Sequence, residues 1–373
     1  MNNRPRPTSL SLIIITLMAG VALGWLLRDT FRSSSAQVIA PTDDRRPTAD
    51  DRLPTTDDRR PTTDDRRPTT SIMPANTAAP GAAATSIATE APPAATAAPA
   101  ATVAPTEMPV AGYIGHIVAE GETLGSIAEQ GGSTPELIAR YNRLDDEPPP
   151  GRALIVPQLE GHDTALESQP LLVKRGRADR PWVALTLDAG AGAEPTPRML
   201  AALRERGIKI TFFLTGKWMI ENPDLARQIV ADGHEIANHT DTHPDLTRVS
   251  DAAMRKELAD TERLMQDIAG ATTRPLFRPP YGAYDERVLR TAVAEGYLPI
   301  YWTLDSLDSV GEPKTPEFLL ERVTRALTPE QLRGAIILAH CGSAPTADAL
   351  PQILDRFAEM GFEVKTVSEV LGG

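Results

Sequence analysis

The chain has 373 residues, of which 50 are Asp or Glu and 38 are Lys or Arg, so its formal net charge is -12. An acidic protein repels a phosphate backbone, and we therefore expect no nucleic acid partner. The 34 prolines and the aromatic content of 5% indicate that part of the chain does not form a packed core. The single cysteine, Cys341, excludes an intrachain disulfide bond and a zinc site built from cysteines.

Near the N-terminus, Leu10 to Leu27 form an apolar run without a charged residue. A helix of this length, at about 1.5 Å per residue, crosses most of a hydrocarbon core of about 30 Å. Flanking arginines and Trp25 near one end are typical of a membrane segment. We predict a cytoplasmic tail at 1–9 and a single transmembrane signal anchor at 10–28, in the cell membrane, with the remaining domains extracytoplasmic. The alternative is a signal peptide cleaved at the Ser-Ser-Ser-Ala of 33–36, which would release a secreted protein.

Residues 29–112 contain few aromatic or large apolar side chains, so they cannot bury enough surface to offset the entropy of folding. The heptapeptide DDRRPTT begins at Asp57 and again at Asp64. A proline in each repeat and the lack of an apolar seam argue against a coiled coil. The residues that follow are rich in Pro, Thr and Ala, a composition typical of extended stalks. We therefore predict a disordered tether over this segment.

Globular composition begins at Tyr113 and continues to Gln158, with an apolar strand, two short amphipathic helices and a closing strand. This β-α-α-β segment, residues 113–158, resembles the LysM module, a small domain that binds peptidoglycan and chitin. The resemblance is carried by Val118, Gly121-Glu122-Thr123-Leu124, Ile127-Ala128, Leu137-Ile138, Asn142, Leu144, Gly151 and Leu154-Ile155-Val156-Pro157. Gly131-Gly132-Ser133 between the helices departs from the pattern and affects the shape of the sugar groove. A small spacer domain is the alternative interpretation.

A linker at 159–171 leads into the largest predicted domain, residues 172–373. Strand-like apolar runs alternate there with amphipathic helices such as Asp251 to Ala269. The runs are Trp182 to Leu187, Ile208 to Leu214, Glu235 to Ala237, Leu276 to Arg278, Leu298 to Leu304, Ala335 to Leu338 and Phe362 to Val367. This alternation predicts an α/β domain with a parallel sheet or a β/α barrel. In such barrels the chemistry gathers at the C-terminal ends of the strands.

Polar residues follow five of the predicted strands. They form the patches Thr186-Leu187-Asp188-Ala189-Gly190, His239-Thr240-Asp241-Thr242-His243, Arg278-Pro279-Pro280-Tyr281-Gly282, Trp302-Thr303-Leu304-Asp305-Ser306-Leu307-Asp308 and Leu338-Ala339-His340. His239 and His243 are four residues apart, which on a helical turn would place both rings on one face, as in zinc-binding helices. Taken singly, Asp188 suits a helix N-cap and His340 a buried core histidine. Their occurrence together favours a catalytic site.

The five patches, in this order, resemble the polysaccharide deacetylase family, the NodB-type carbohydrate esterases, whose fold is a distorted β/α barrel. The resemblance covers nearly the whole of the C-terminal domain. It implies that Asp188 is the general base and His340 the general acid. It also implies that His239 and His243 bind a divalent metal, with zinc as the first choice.

The resemblance implies supporting roles for four further residues. Arg278 would orient the base, Asp308 and Asp305 would tune the acid, and the backbone amide of Tyr281 would stabilise the oxyanion. The chemistry of acetamide hydrolysis requires such a set, because it needs an activated water, a stabilised oxyanion and a proton for the departing amine.

Two positions depart from the family pattern. Ala189 stands where most members have a second aspartate that binds the metal, so two protein ligands are predicted where catalytic zinc usually has three. Ser309 stands where a tryptophan is common, which weakens one wall of the groove. Either waters or a rotated Asp188 complete the metal shell, or the site is poor in metal and the domain only binds glycan.

We therefore predict a metal-dependent hydrolase that removes acetyl groups from the amino sugars of a cell-wall polysaccharide, with peptidoglycan as the first choice of glycan partner. The membrane is the other expected partner, and nothing in the sequence indicates a protein partner. The alternatives are a catalytically impaired cell-wall glycan-binding protein, an O-acetyl esterase, and a deacetylase of chitin or of an exopolysaccharide.

Overall fold

A computed structural model describes residues 109–372. The predicted cytoplasmic tail, membrane anchor and most of the predicted tether lie outside the described residues. Within residues 109–372, no helix combines the length and the apolar character needed to cross a bilayer.

The N-terminal part of the described chain has the predicted order of two helices between two strands. The elements are β1 (Val110–Ile117), α1 (Leu124–Gly131), α2 (Pro135–Asn142) and β2 (Ala153–Leu159). The strands pair antiparallel, and β1 begins three residues before the predicted start of the module. Thr123 and Thr134 cap the two helices through their hydroxyl groups. The buried side chain of Asn142 bonds both the N–H and the C=O of Ile155, at 2.8 and 2.7 Å, and so joins α2 to β2.

The remainder of the chain alternates strands and helices. The strands are β3 (Trp182–Ala189), β4 (Thr211–Leu214), β5 (Glu235–Asn238), β6 (Leu276–Phe277), β7 (Leu298–Pro299), β8 (Leu304–Asp305), β9 (Ala335–His340) and β10 (Glu363–Lys365). The helices are α3 (Thr196–Glu205), α4 (Gly216–Glu221), α5 (Pro223–Ala231), α6 (Asp251–Ala269), α7 (Glu286–Ala294), α8 (Pro316–Arg325), α9 (Pro329–Leu332), α10 (Ala344–Glu359) and α11 (Val367–Val370).

The strands form one curled parallel sheet in the order β7-β6-β5-β4-β3-β9-β8, and β10 pairs with the first half of β3. Single bridges from Val173 to Ile300 and from Arg175 to Ala335 connect the two sides of this curl. The prediction of a distorted β/α barrel is therefore confirmed. The predicted strand from Leu298 to Leu304 is in fact two short strands, since its backbone changes partner between β6 and β9.

Side chains alternate across the central strand β3, as the pleat requires. Leu185, Leu187 and Ala189 face an outer core, the apolar layer between the sheet and its helices. Ala184 faces an inner core inside the curl, together with Phe213. This alternation directs Thr186 and Asp188, on the Ala184 side of the strand, towards the inside of the curl.

The LysM-like module packs against the N-terminal ends of the sheet strands. Its strand β2 contributes Ala153 and Ile155 to the inner core. Of the linker predicted at 159–171, Leu159 is the last residue of β2, the rest runs along the module, and Leu171 is fully buried. The module and the sheet domain therefore share the inner core, and the module has a smaller apolar core of its own.

Candidate active site

A cleft of about 700 Å³ opens at the C-terminal ends of the sheet strands. Seven of the eight predicted site residues line it: Asp188, His239, His243, Tyr281, Asp305, Asp308 and His340. The eighth, Arg278, is fully buried beneath the cleft. The parallel strands deliver these residues to one edge of the sheet, as expected for a β/α barrel.

The Asp188 carboxylate is held from below by Arg278. Arg278 Nη1 donates to Asp188 Oδ1 at 2.6 Å and to Thr186 Oγ1 at 2.8 Å. The guanidinium also lies over the ring of Phe213, with 3.9 Å to the ring centre. Burial lowers the pKa of Arg278, and the charge of Asp188 opposes that effect. This pair leaves Asp188 Oδ2 free of Arg278 and directed towards the histidines, 3.5 Å from His239 Nε2.

His239 and His243 lie side by side, with ring centres 4.9 Å apart. The helical turn predicted to bring them together is wrong, because the segment is a loop in which Thr240 and His243 have left-handed backbone conformations. The side chain of Asn238 accepts a hydrogen bond from the Thr240 N–H at 2.9 Å and stabilises this loop. The two rings are adjacent, as the spacing of four residues predicts, but the backbone between them is not helical.

The surroundings of the two imidazoles favour their neutral forms, which are the forms that can bind a metal. His239 Nδ1 lies 2.8 Å from the carbonyl oxygen of Arg278, so Nδ1 must donate and the lone pair lies on Nε2. Burial lowers the pKa of His239 to about 4 and also lowers the pKa of His243. A carbonyl partner behind the ring is the usual support of a metal-binding histidine.

His340, on β9 next to the strand that carries Asp188, forms a second pair with a carboxylate. Its Nδ1 lies 2.7 Å from Asp308 Oδ1, and its backbone N–H donates to Asp308 Oδ2 at 2.9 Å. Thr346 donates a further hydrogen bond to Asp308 Oδ2 at 2.6 Å. Burial of the ring lowers the pKa of His340, but the hydrogen bond with Asp308 and the charge of Asp188 outweigh burial and raise it. These contacts thus favour the protonated form of His340.

Asp305 and Tyr281 occupy the rim of the site. Asp305 Oδ1 accepts from the N–H of Leu307 at 2.7 Å, so it shapes the loop and acts on His340 through its charge. Tyr281 has a left-handed backbone, with φ of 59°, and its side chain is 71% exposed. Its ring meets the edge of His243 at 4.5 Å between centres. The exposed Ser309 Oγ lies 3.5 Å from His340 Nε2.

The imidazole and carboxylate groups of the cleft are of the kind that binds a divalent metal, but the site has one protein ligand fewer than catalytic zinc usually takes. Two imidazole nitrogens and Asp188 Oδ2 face the same part of the cleft, whereas the Ala189 methyl group lies in the outer core. Among residues 109–372, no three His, Cys, Asp or Glu side chains are grouped so that they would hold a metal ion. Catalytic zinc usually takes three protein ligands. His239 and His243 are therefore the two residues that would hold a metal, and solvent would complete its coordination.

Sequence reasoning missed three supporting residues. Thr186 precedes Asp188 by two positions and so shares its face of β3, a signal that the alternation contained. Phe213 and Thr346 carried no comparable signal, because their contacts with Arg278 and Asp308 depend on how separate elements pack.

The fold is a curled β/α barrel with a polar cleft at the C-terminal ends of its strands. A polysaccharide deacetylase model matches residues 175–300, and a LysM domain model matches residues 116–157. A peptidoglycan-N-acetylglucosamine deacetylase of Bacillus cereus is 30% identical over 52% of this chain and 69% of that protein. The chain belongs to the polysaccharide deacetylase family.

Two further comparisons bear on this membership. The uncharacterized protein YlxY of Bacillus subtilis is 32% identical, and the match spans 55% of this chain but only 62% of YlxY. A solved structure from Bacillus anthracis, described as a CE4 family pseudoenzyme, is 32% identical with a TM-score of 0.51. That match covers 58% of this chain and 73% of the other.

Proposed function

We propose that this protein removes acetyl groups from N-acetylated amino sugars of a cell-wall polysaccharide in a metal-dependent hydrolysis. One observation carries the proposal. An oriented carboxylate, Asp188 with Arg278, lies on the strand next to an imidazole, His340, whose partner Asp308 favours its protonated form. The same cleft contains His239 and His243, whose burial favours their neutral forms. An acid and a base with opposite protonation states in one site are what amide hydrolysis requires.

In this mechanism each residue has a defined task. Asp188 Oδ2 accepts the proton of the attacking water, while Arg278 holds the carboxylate in place through Oδ1. His340 Nε2 donates its proton to the departing amine nitrogen, and the backbone N–H of Tyr281 donates to the oxyanion. A bound divalent metal, with zinc as the first choice, would lower the pKa of the water and polarise the acetyl carbonyl.

Peptidoglycan is the proposed substrate. The LysM domain and the activities named for the B. cereus relative support a glycan that contains N-acetylglucosamine. A chitin-like polymer, an exopolysaccharide and an O-acetylated glycan are the competing substrates of the same machinery. We also propose that the chain is anchored in the cell membrane by residues 10–28, with these domains on the outer side where the polymer lies.

A catalytically impaired glycan-binding protein is the second candidate. It is favoured by Ala189, which removes the third metal ligand, and by the likeness to the pseudoenzyme from B. anthracis. The complete acid and base pairs favour hydrolysis, because binding alone requires neither.

Acetate release from purified peptidoglycan by the full chain tests the proposal, with chelator, with added zinc, and beside an Asp188→Asn control. Chitin oligomers and an O-acetylated glycan are the matched substrates. Zinc-dependent release that the control lacks supports the deacetylase. Absence of release from every substrate, with glycan binding intact, supports the binding protein.

A further inference from the structure

The LysM domain is fixed to the end of the barrel that lies opposite the cleft. Arg143, next to the end of α2, pairs with Glu235, the first residue of β5, at 2.5 Å. It also donates to the carbonyl of Arg274, which precedes β6, at 2.7 Å. Tyr141 donates to the carbonyl of Gly296, which precedes β7, at 2.7 Å. Each of these partners lies at the N-terminal end of a strand.

The contact between the LysM domain and the barrel is apolar at its centre and is closely packed. Ile155 of the LysM strand β2 shares the inner core with Phe213 of the barrel. At Gly115 in β1, an added Cβ would lie 2.4 Å from the carbonyl oxygen of Gln169 and 2.9 Å from the side chain of Val293. Interiors packed this closely behave as rigid bodies. The LysM domain thus closes the N-terminal end of the barrel and is held there by direct packing.

The barrel separates the LysM domain from the reacting atoms. Strand β3 runs from Trp182 at the LysM end to the cleft end, where Asp188 lies. Six residues of strand at about 3.3 Å each give a separation of roughly 20 Å. A glycan strand held by the LysM domain would have to turn around the side of the barrel to enter the cleft of the same molecule.

We infer that the protein holds two glycan strands at once, one on the LysM domain and a second, N-acetylated strand in the cleft. The inference rests on the proposed function for the identity of the second strand. The bound strand positions the enzyme, and acetyl groups are removed from a neighbouring strand of the polymer. The chain thereby bridges two glycan strands through noncovalent contacts, in addition to the proposed hydrolysis.

Retention of a soluble glycan on an insoluble one tests the inference. A limiting amount of insoluble peptidoglycan is saturated with full chain and added zinc, and an excess of a short fluorescent N-acetylated oligosaccharide is added before sedimentation. We expect about one oligosaccharide in the pellet per chain, and none with Gly190→Trp, because a side chain at Gly190 points at His243 and fills the cleft. Retention no greater than with Gly190→Trp, while the chain itself still sediments with peptidoglycan, would overturn the inference, since it would mean that the LysM-bound strand excludes a second strand from the cleft.

Acetate measured in the same samples separates the two proposals. Retention without acetate leaves the bridging inference standing and removes the proposed hydrolysis. Acetate without retention does the reverse.

A distance measurement tests whether the LysM domain is fixed relative to the cleft. Spin labels at Glu129→Cys and Lys217→Cys would report the distance between the LysM domain and the cleft, since Lys217 lines the cleft, both positions are exposed and Cys341 is fully buried. A single narrow distance is expected with and without peptidoglycan. A broad distribution, or a shift when glycan binds, would mean that the domain swings and would refute the inference.

Discussion

Replacement of Arg278 by methionine tests the buried ion pair at the base of the site. Arg278 is fully buried and Asp188 nearly so, and the 2.6 Å bond between them compensates both charges. Removal of one partner of a buried pair costs about 3–5 kcal/mol, because the other charge stays buried without compensation. At 2–4 °C per kcal/mol, the melting temperature should fall by roughly 6–20 °C.

Urea unfolding followed by tryptophan fluorescence measures this change in the free energy of unfolding. The matched control is the double variant Arg278→Met with Asp188→Asn, which leaves no uncompensated charge. We expect the double variant to be more stable than the sum of the single variants predicts, with a coupling of about 0.5–3 kcal/mol. Strict additivity, or a loss below about 1 kcal/mol for Arg278→Met, would contradict the assignment of this pair.

Two further changes probe the acid and the metal ligands. The raised pKa of His340 means that its pair with Asp308 stabilises the fold below the ordinary histidine value of about 6.5, and that this stability is lost as pH rises through the raised value. Asp308→Asn should therefore reduce the free energy of unfolding more at about pH 5.5 than at about pH 9, and equal losses in urea titrations would rule this out. Gly190→Asp, whose Cβ would lie 3.5 Å from His243 Cδ2, should raise zinc affinity roughly tenfold in calorimetry relative to Gly190→Asn, because it adds a carboxylate beside the two histidines. Unchanged zinc affinity in Gly190→Asp would refute the missing-ligand argument.

Local patterns predicted most of the fold. Helix α6 has the predicted bounds, Asp251–Ala269, because Ser250 caps it and Gly270 ends it in a left-handed conformation. The strand ends that carry Asp188 and His340 were also predicted, because a long apolar run that ends in a polar residue is typical of a buried strand of a parallel sheet. The short strands β7 and β8 were merged, because two-residue strands depend on tertiary pairing alone.

The site was predicted as a set of residues, and its geometry was not. Nothing local in the sequence indicates that Thr240 and His243 adopt left-handed conformations, which replace the expected helical turn. The docking of the LysM domain was also missed, because Tyr141 and Arg143 are ordinary surface residues for a small module until the barrel supplies their partners.

Asp188 and His340 lie side by side, in register on the adjacent strands β3 and β9, which are joined by main-chain hydrogen bonds. The spacing between the proposed proton acceptor and proton donor is therefore set by the sheet, whose core strands are typically the most stable part of a fold. Tyr281 and Ser309 line the cleft from loops outside the sheet. Substitutions of their side chains should therefore alter which sugars enter the cleft, while the pH dependence of acetate release stays constant.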